Sequence, residues 1–243
     1  MKKWLRVVLI GLGVLVLVFI VLNVIGRSAS QIPTDTGAFI TANPLDLTQI
    51  KSISAFRSCE GHNFSGRNAL GEEETYRTMK HYIEAVEPLQ QTEQQLKIFA
   101  PFTGRISQVS PEGRGNQVYL SPQAGGNSWD LLYFHVDLLP QLSKGDKITA
   151  GQHIGHANLI NGANFDISLR NFGLGRQLHG SPFLYMTHEV LAQYADAGVT
   201  LDNIIISKET RDGAPCQLAS GESGRDALYA RSEAGKSWID IQQ

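Results

Sequence analysis

The chain of 243 residues contains 42% hydrophobic and 18% charged residues, proportions that exclude a disordered or fibrous protein and fit one or two folded domains. Four of its 21 Lys and Arg residues and none of its 23 Asp and Glu residues fall in the first 27 positions, so the rest of the chain carries a net charge of about −6. Phosphate binding needs a basic surface, and the sequence has neither a Walker loop nor a Gly-x-Gly-x-x-Gly loop after a strand. We therefore expect no nucleic-acid partner.

The N-terminal residues predict a membrane anchor. Residues 7–25 form an uncharged and almost wholly apolar run, which as a helix spans roughly 30 Å of hydrocarbon. Three basic residues precede the run and only Arg27 follows it, a pattern that keeps the N-terminus in the cytoplasm and exports the rest. The alternative is a signal peptide cleaved near residues 28–30, which exports the same part. We expect residues 1–27 to be a single-pass anchor in the inner or cytoplasmic membrane, in contact with the lipid bilayer, and the domain to be periplasmic or extracellular.

The middle of the chain predicts a mainly β domain with an inserted helix. Residues 28–52 mix small polar and short apolar stretches and fit a spacer. Residues 72–86 place apolar side chains at helical spacing, which predicts a helix inside an insert at about 67–95. The rest of a domain spanning 53–180 consists of short apolar runs bounded by Gly, Pro and Asn, as in β-sandwiches and barrels. The predicted strands are 96–101, 104–109, 117–122, 130–136 and 164–170.

The last sixty residues predict a helix-strand extension and a tail. In the extension, 181–216, the pattern indicates a second helix over 185–197 and a short strand over 203–207. Residues 217–243 are rich in Ser, Gly, Ala and charged residues, with few large apolar side chains. They predict a weakly ordered tail.

Two cysteines, Cys59 and Cys216, lie in the predicted exported part, where an oxidising environment lets a disulfide persist. Closing a loop of this length removes about 5 kcal/mol of unfolded-state freedom in the chain-entropy model. Two alternatives remain open from the sequence: a pair of free thiols, or a functional Cys59 that acts as a metal ligand or as a nucleophile with His62 or His135 as its base.

Three stretches then occur in a characteristic order. They are Ala100-Pro101-x-x-Gly104, Leu132-Tyr133-Phe134-His135, and the turn-rich segment 144–155 with its Lys-Gly-Asp-x-Ile-x-Ala-Gly-Gln pattern. This order resembles the lysostaphin/LytM-type zinc endopeptidases of bacterial cell walls. The resemblance covers about residues 57–170 and implies a β-sandwich of the duplicated-hybrid type.

The resemblance also implies where zinc ligands and catalytic groups would lie, and most of those positions are substituted. The ligand motif of the family, His-x-Gly-x-Asp, falls on residues 59–63, with Cys59 and Asn63 at the two ligand positions. A later ligand position falls on Asp166, and a catalytic histidine position falls on Asn164. His135 alone keeps the family residue and is the candidate general base.

These substitutions bear directly on metal binding. Hydrolytic zinc needs about three protein donors and an open position, and an amide oxygen is a poor zinc donor. We therefore expect no cofactor. Zinc remains the alternative if Asp166 and Cys59 bind it together with His62 or Asn63. Nearby charged residues that would line the old groove are Arg57, Lys80, His81 and Arg170.

The sequence thus supports three hypotheses. The first is a degenerate, non-hydrolytic relative of the peptidases that binds peptidoglycan or an envelope protein through the groove. The second is an active metallopeptidase with a remodelled site, in which Asp166 and either Cys59 or His62 are ligands and His135 is the base. The third is a β-sandwich adaptor of the envelope that shares only the fold.

Overall fold

The computed structural model of the chain describes residues 37–92, 95–125, 129–160, 164–171 and 177–242. The predicted membrane anchor and the start of the spacer lie outside these ranges. The described part of the predicted spacer, 37–52, is instead part of the domain, because Phe39, Ile40 and Ile50 are buried in the main hydrophobic core. Within the described ranges, no helix is both long and apolar enough to cross a bilayer. The described part is mainly β with few helices, as the sequence predicts.

Thirteen strands of the described residues join in one mixed sheet. Neighbouring strands pair antiparallel, except for one parallel pair between the second and the twelfth strand. The strands are β1 (Ile50–Ser54), β2 (Gly66–Asn68), β3 (Glu73–Glu74), β4 (His81–Ala85), β5 (Lys97–Phe99), β6 (Gly104–Pro111), β7 (Asn116–Pro122), β8 (Trp129–Leu138), β9 (Lys147–Ile148), β10 (His153–Ala157), β11 (Phe165–Asn171), β12 (Leu178–Gly180) and β13 (Trp238–Asp240). The longest path through the sheet is β13-β1-β4-β11-β8-β7-β6-β9.

The three central strands β4, β11 and β8 present different chemistry on their two faces. Side chains alternate along a strand, so every second residue reaches the same face. On the inner face, Ile83, Ile167 and Tyr133 are fully buried in the main hydrophobic core. On the outer face, Asp166 lies opposite Phe134 on one side and Tyr82 on the other. A second, smaller apolar cluster covers part of this outer face.

The region 72–86 is not helical, so the predicted inserted helix is wrong. It contains β3 and β4, joined by a turn in which Tyr76 has a left-handed backbone with φ +54° that an α-helix cannot contain. β4 pairs with β1 on one edge and β11 on the other. These long-range pairings override the local helical spacing, as is common for short amphipathic segments.

The extension contains three short helices, α1 (His188–Asp196), α2 (Leu201–Ile204) and α3 (Lys208–Gly213). The helix predicted over 185–197 is present as α1, preceded by a 3-10 turn at Pro182–Tyr185. The predicted strand over 203–207 is reduced to a single β-bridge between Ile205 and Phe56. The residues just before it are helical, because Thr200 and Asn203 form a capping box that starts α2. Further 3-10 turns lie at Leu47–Gln49, Glu87–Leu89 and Arg231–Glu233.

Residues 217–242 pack against the domain, which contradicts the expected weakly ordered tail. Leu218 and Tyr229 pair across a hairpin-like loop, and β13 adds to the edge of the sheet beside β1. Ile241 is 8% exposed and joins the main core. A few well-placed apolar residues and a strand edge therefore hold a segment whose composition alone suggests disorder.

Candidate functional site

The predicted disulfide is confirmed and fixes one wall of the site. Cys59 and Cys216 are bonded to each other, with their Cα atoms 5.4 Å apart. The bond ties the loop 59–63 to the C-terminal segment. Because both sulfurs are used in this bond, the hypotheses that make Cys59 a zinc ligand or a nucleophile are wrong.

A buried ion pair lies at the centre of the outer face. Asp166 is 1% exposed, so its carboxylate needs a partner within the protein. That partner is Lys80, which directly precedes β4 and shares the outer face with Tyr82; its Nζ binds Asp166 Oδ2. The Lys80 side chain is itself 3% exposed.

Lys80 is enclosed by aromatic rings as well as by the carboxylate. Its Nζ lies 4.9 Å from the ring centre of Phe64, 4.8 Å from that of Tyr82 and 4.6 Å from that of Phe134. Aromatic faces attract a cation through their quadrupole, and the attraction is strongest where water is excluded. We call Lys80 and these three rings the ammonium cage. It holds the Lys80 side chain between Asp166 and the neighbouring loop.

His62 supplies the remaining contact to the ammonium group. Its Nε2 lies 3.1 Å from Lys80 Nζ, and its Nδ1 lies 3.3 Å from the exposed carboxylate of Asp226. Burial, followed by the charge of Lys80, lowers the pKa of His62, and these effects outweigh the nearby carboxylates. A neutral His62 accepts a hydrogen bond from Lys80 through Nε2, which assigns its own proton to Nδ1.

His135 lies between two carboxylates at a bulge in β8. The strand has one extra residue relative to β7 here, and His135 has a left-handed backbone with φ +60°. Its Nδ1 is 3.0 Å from Glu112 Oε2, which also accepts the backbone N–H of His135 at 2.9 Å. Its Nε2 is 3.6 Å from Asp166 Oδ1. That oxygen accepts no hydrogen bond from the described residues.

The environment of Glu112 favours its charged form. Burial alone would raise its pKa, but hydrogen bonding with His135 and Gln117 outweighs burial and lowers it. The geometry around His135 therefore combines an ionised carboxylate on one side with the Lys80–Asp166 pair on the other.

Asn63 and Asn164, which the resemblance aligns with a ligand position and a catalytic position, have different surroundings. Asn164 lies one residue before β11 and lines a cavity of about 300 Å³ together with His135 and Asp166. Asn63 is used structurally: its Nδ2 donates to the carbonyl of Gly224 at 2.8 Å, and its Oδ1 accepts from Ser65 and Tyr229. The structure thus brings together His62, His135 and Asp166, with Asn164 at the rim, and leaves Asn63 in the framework.

These donors do not fit a hydrolytic zinc ion. Cys59 is in a disulfide, the amide of Asn63 is fully engaged, and Asp166 already binds an ammonium group. In the described part of the chain, no group of three His, Cys, Asp or Glu side chains is placed to hold a metal ion. A dication between Asp166 and His62 would lie against the Lys80 charge, and like charges at a few Å repel strongly in a buried site.

Three adjoining cavities form one groove over this site. The first, of about 300 Å³, and the second, of about 340 Å³, share His62, Lys80 and His135. The third, of about 360 Å³, shares Gln177 and Arg225 with the second. We refer to these three cavities together as the groove.

The other charged residues named from the sequence divide between the groove and elsewhere. Arg170 lines the groove. His81 faces the inner side, where it contacts the Ser54 carbonyl and the Ser181 hydroxyl. Arg57 pairs with Glu74 away from the groove.

Sequence analysis missed the positions of several groove residues. The cage ring Phe64 lies in the loop that crosses the outer face, and Arg225 and Asp226 come from the segment that was expected to be a tail. The backbone of Asn63 and Asp226 joins these two segments through a hydrogen bond of 2.9 Å. For Lys80 a signal was present: reading 80–84 with the period of a strand places it on the same face as Tyr82.

Solved structures that resemble the chain include peptidases of the LytM and lysostaphin type indicated by the sequence motifs. One is described as a glycyl-glycine endopeptidase LytM from Ruminococcus gnavus, with 15% identity over 42% of this chain and 43% of that chain and a TM-score of 0.35. Another is lysostaphin from Staphylococcus simulans, with 18% identity over 59% of this chain and 53% of that chain and a TM-score of 0.37. The chain therefore spans about half the length of these peptidases or less.

A third similar structure comes from an assembly. It is a chain of the SpoIIQ–SpoIIIAH pore-forming complex, with 12% identity over 67% of this chain and 99% of that chain and a TM-score of 0.42. No protein-family model matches the chain, and no curated protein matches it.

Proposed function

We propose that the chain is a membrane-anchored, extracytoplasmic relative of the lysostaphin/LytM-type peptidases that binds peptidoglycan through its groove without hydrolysing it. The observation that carries this proposal is the Lys80 ammonium group, which binds Asp166 Oδ2 and His62 Nε2 and so occupies donor atoms that a catalytic zinc ion would need. An envelope protein as the ligand remains the alternative.

The absence of hydrolysis follows from the donor chemistry. Activation of water by zinc depends on a bound dication that lowers the pKa of the water to about 7. An ammonium group has no vacant orbital with which to coordinate water, so it cannot play this part. His135 remains between Glu112 and Asp166, where it can hold a ligand by hydrogen bonding but has no activated water to deprotonate.

Binding of an extended ligand is supported by the shape and lining of the groove. Its first and third cavities each adjoin the second, and the lining combines polar side chains such as Gln117 and Gln177 with the rings of Phe64 and Phe134. Concave sites with mixed apolar walls and a few directed polar groups are typical of ligand binding. The predicted N-terminal anchor and the disulfide support a location outside the cytoplasm.

The proposal is tested by sedimentation of the full-length protein, in mild detergent, with purified peptidoglycan sacculi. We expect the protein to pellet with the sacculi and to release no soluble fragments, with or without added zinc. Gln117→Trp, which fills the middle cavity, is expected to lower retention at least tenfold. The matched control is Gln217→Trp, at an exposed position outside the groove, which is expected to bind as the unmodified chain does.

Two results would overturn the proposal. Release of fragments that is abolished by Asp166→Asn would establish an active metallopeptidase. Equal retention of Gln117→Trp and the unmodified protein, or no retention of either, would show that the groove is not a peptidoglycan site.

A further inference from the structure

The carboxylates that line the groove are already engaged by other groups. Asp166 binds Lys80, and Glu112 accepts the backbone N–H of His135 and the amide of Gln117. In the same way, Asp226 lies 3.3 Å from His62, and Glu73 lies 3.1 Å from Arg67. Each of these side chains therefore has a charged or polar partner within the protein.

In the middle cavity, two guanidinium groups are left without a carboxylate partner after this pairing. A third groove arginine, Arg114, donates to the backbone carbonyls of Ile160 and Asn164. Arg170 and Arg225 both line the middle cavity, and neither lies within 4.0 Å of a carboxylate of the described residues. The carboxylates of Glu112 and Asp226 line the same cavity, but neither forms an ion pair with these arginines, so both guanidinium groups keep N–H donors that no carboxylate of the described residues occupies. Such donors favour an anionic ligand that can reach both of them.

Arg170 is a buried cation that has a neutral side chain as its hydrogen-bond partner among the described residues. It is 8% exposed, and its guanidinium carbon lies 4.8 Å from the ring centre of Phe64 and 5.3 Å from that of Phe134. With the Gln177 amide oriented so that its oxygen faces the guanidinium, that oxygen accepts from Nε at 3.2 Å and Nη1 at 3.1 Å. Burial lowers the pKa of Arg170 to about 10, and the nearby Arg225 contributes to the decrease, so the group stays charged at neutral pH.

Arg225 also lies near the ring of Phe64. Its guanidinium carbon lies 5.6 Å from the ring centre of Phe64. The segment that carries it is held by Asn63, whose side chain binds the carbonyl of the preceding residue, Gly224. The position of Arg225 is therefore set by the framework, although its side chain is exposed.

We propose that Arg170 and Arg225 form a receptor for a carboxylate group of a peptide, with the ring of Phe64 as its apolar wall. This inference rests on the proposed function, because it assigns the ligand chemistry of the same groove. Guanidinium groups match the planar carboxylate with paired N–H donors. The amides of Gln117 and Gln177 beside the pair can bond to the peptide backbone. The adjoining cavities give the rest of an extended peptide room to either side.

The carboxylate can belong to the peptide C-terminus or to an acidic side chain, and defined probes separate these sources. We suggest titrating the full-length protein with acetyl-Ala-Ala-Ala as the free acid, the same peptide as its amide, and acetyl-Ala-Glu-Ala amide, with binding measured by calorimetry. The free acid or the glutamyl peptide is expected to bind at least tenfold more tightly than the tri-alanine amide. Whichever of the two binds more tightly identifies the source.

Variants connect the effect to the two arginines. Arg225→Gln is at an exposed position and should fold normally, and it is expected to weaken carboxylate binding at least tenfold. Arg170→Lys keeps the buried charge but removes the paired donors, and it is expected to weaken binding as well. Arg105→Gln, an exposed arginine on β6 outside the groove, is the matched control and is expected to leave binding unchanged.

Three results would overturn the inference: equal affinity for acid and amide peptides, unchanged affinity of Arg225→Gln for the tighter acid, or inorganic phosphate binding as tightly as that peptide. Its failure is distinguishable from failure of the proposed function. If Arg225→Gln pellets normally with sacculi while Gln117→Trp does not, the groove still binds peptidoglycan and only the carboxylate receptor is wrong. If the unmodified protein does not pellet, the proposed function is wrong, whatever the peptide titrations show.

Discussion

The two faces of the strands β4, β8 and β11 differ in their chemistry, although the same three strands form both. The inner face is built from fully buried apolar side chains such as Ile83, Ile167 and Tyr133. The outer face is buried nearly as well at Asp166 and Lys80, yet it places an ion pair among aromatic rings. Alternation along the strands makes both faces from one stretch of sequence.

This difference separates the source of stability from the site of binding. Burial of apolar surface stabilises the fold directly. A buried ion pair must first offset the loss of hydration of both charges, so it is often no more stabilising than an apolar pair of the same volume. The outer face therefore retains charges that stability alone does not require. We attribute them to the proposed use of the groove as a binding surface.

The largest expected effect comes from the inner face. Phe165→Ala removes a fully buried ring that packs 5.9 Å from the ring of Tyr133. We expect the free energy of unfolding to fall by about 4 kcal/mol, because lost burial and the remaining cavity add. Urea unfolding measures this change. Leu228→Ala, at the rim of the groove and 55% exposed, is the control and should change stability by less than about 0.5 kcal/mol.

On the outer face, removal of one charge should leave the other buried without a partner. Lys80→Met keeps most of the side-chain volume but leaves the buried Asp166 carboxylate without its partner. We therefore expect the free energy of unfolding to fall by about 3 kcal/mol. The matched control is Lys51→Met. Lys51 forms an ion pair with Glu84, but its side chain is 53% exposed, so its loss should lower the free energy of unfolding by less than about 1 kcal/mol.

A double-mutant cycle sharpens this test. Lys80→Met combined with Asp166→Asn should be less destabilising than the two single changes summed, because no charge is then left stranded. If Lys80→Met lowered the free energy of unfolding as little as Lys51→Met does, the outer face would not contain a buried ion pair of the kind described.

A smaller change in the free energy of unfolding is expected when the pH is lowered, because each face has one buried histidine. Burial lowers the pKa of His81, on the inner face, to about 4, although a hydrogen bond to Ser54 opposes the shift. Burial, followed by repulsion from Arg170 and Arg225, lowers the pKa of His179 to about 3. The unfolded chain binds protons at these histidines below about pH 6.5 while the folded chain does not. Stability should therefore fall as the pH decreases from 6.5, by up to about 1.4 kcal/mol per pH unit for each histidine.

Urea unfolding at pH 7.5, 6.0 and 5.0 measures this dependence above the range in which carboxylates titrate. His81→Gln and His179→Gln should each reduce the slope, and His188→Gln, an exposed histidine, should not. Identical slopes in all four proteins would contradict the assignment of these two buried neutral histidines.

The central strands were predictable from the sequence because their local signals agree with the fold. The runs at 117–122, 130–136 and 164–170 have strand residues bounded by turn residues, and each matches a strand to within a few residues. Gly145 and Gly151, which lie in the turn-rich segment 144–155, have φ angles of +99° and +77°. Because His135 and Asp166 lie on two of these strands, β8 and β11, which pair with each other, their proximity could be predicted as well.

The rest of the site depends on long-range contacts that leave little trace in local sequence. Residues 72–86 have helical spacing, and only pairing with β1 and β11 makes a strand of 81–85 and places Lys80 beside Asp166. Arg225 lies in a polar segment with no periodic pattern. It reaches the groove because the Cys59–Cys216 bond and the contacts of Asn63 fold that segment back.

The central claim, that the Lys80 ammonium group takes the place of a catalytic cation, is tested most directly by the zinc content of the full-length protein. The protein is equilibrated with excess zinc, freed of unbound metal by gel filtration and analysed by mass spectrometry for zinc per chain. The account predicts far less than one zinc ion per chain, with no difference between the unmodified protein and Asp166→Asn. One tightly held zinc ion per chain that is lost on Asp166→Asn would contradict it.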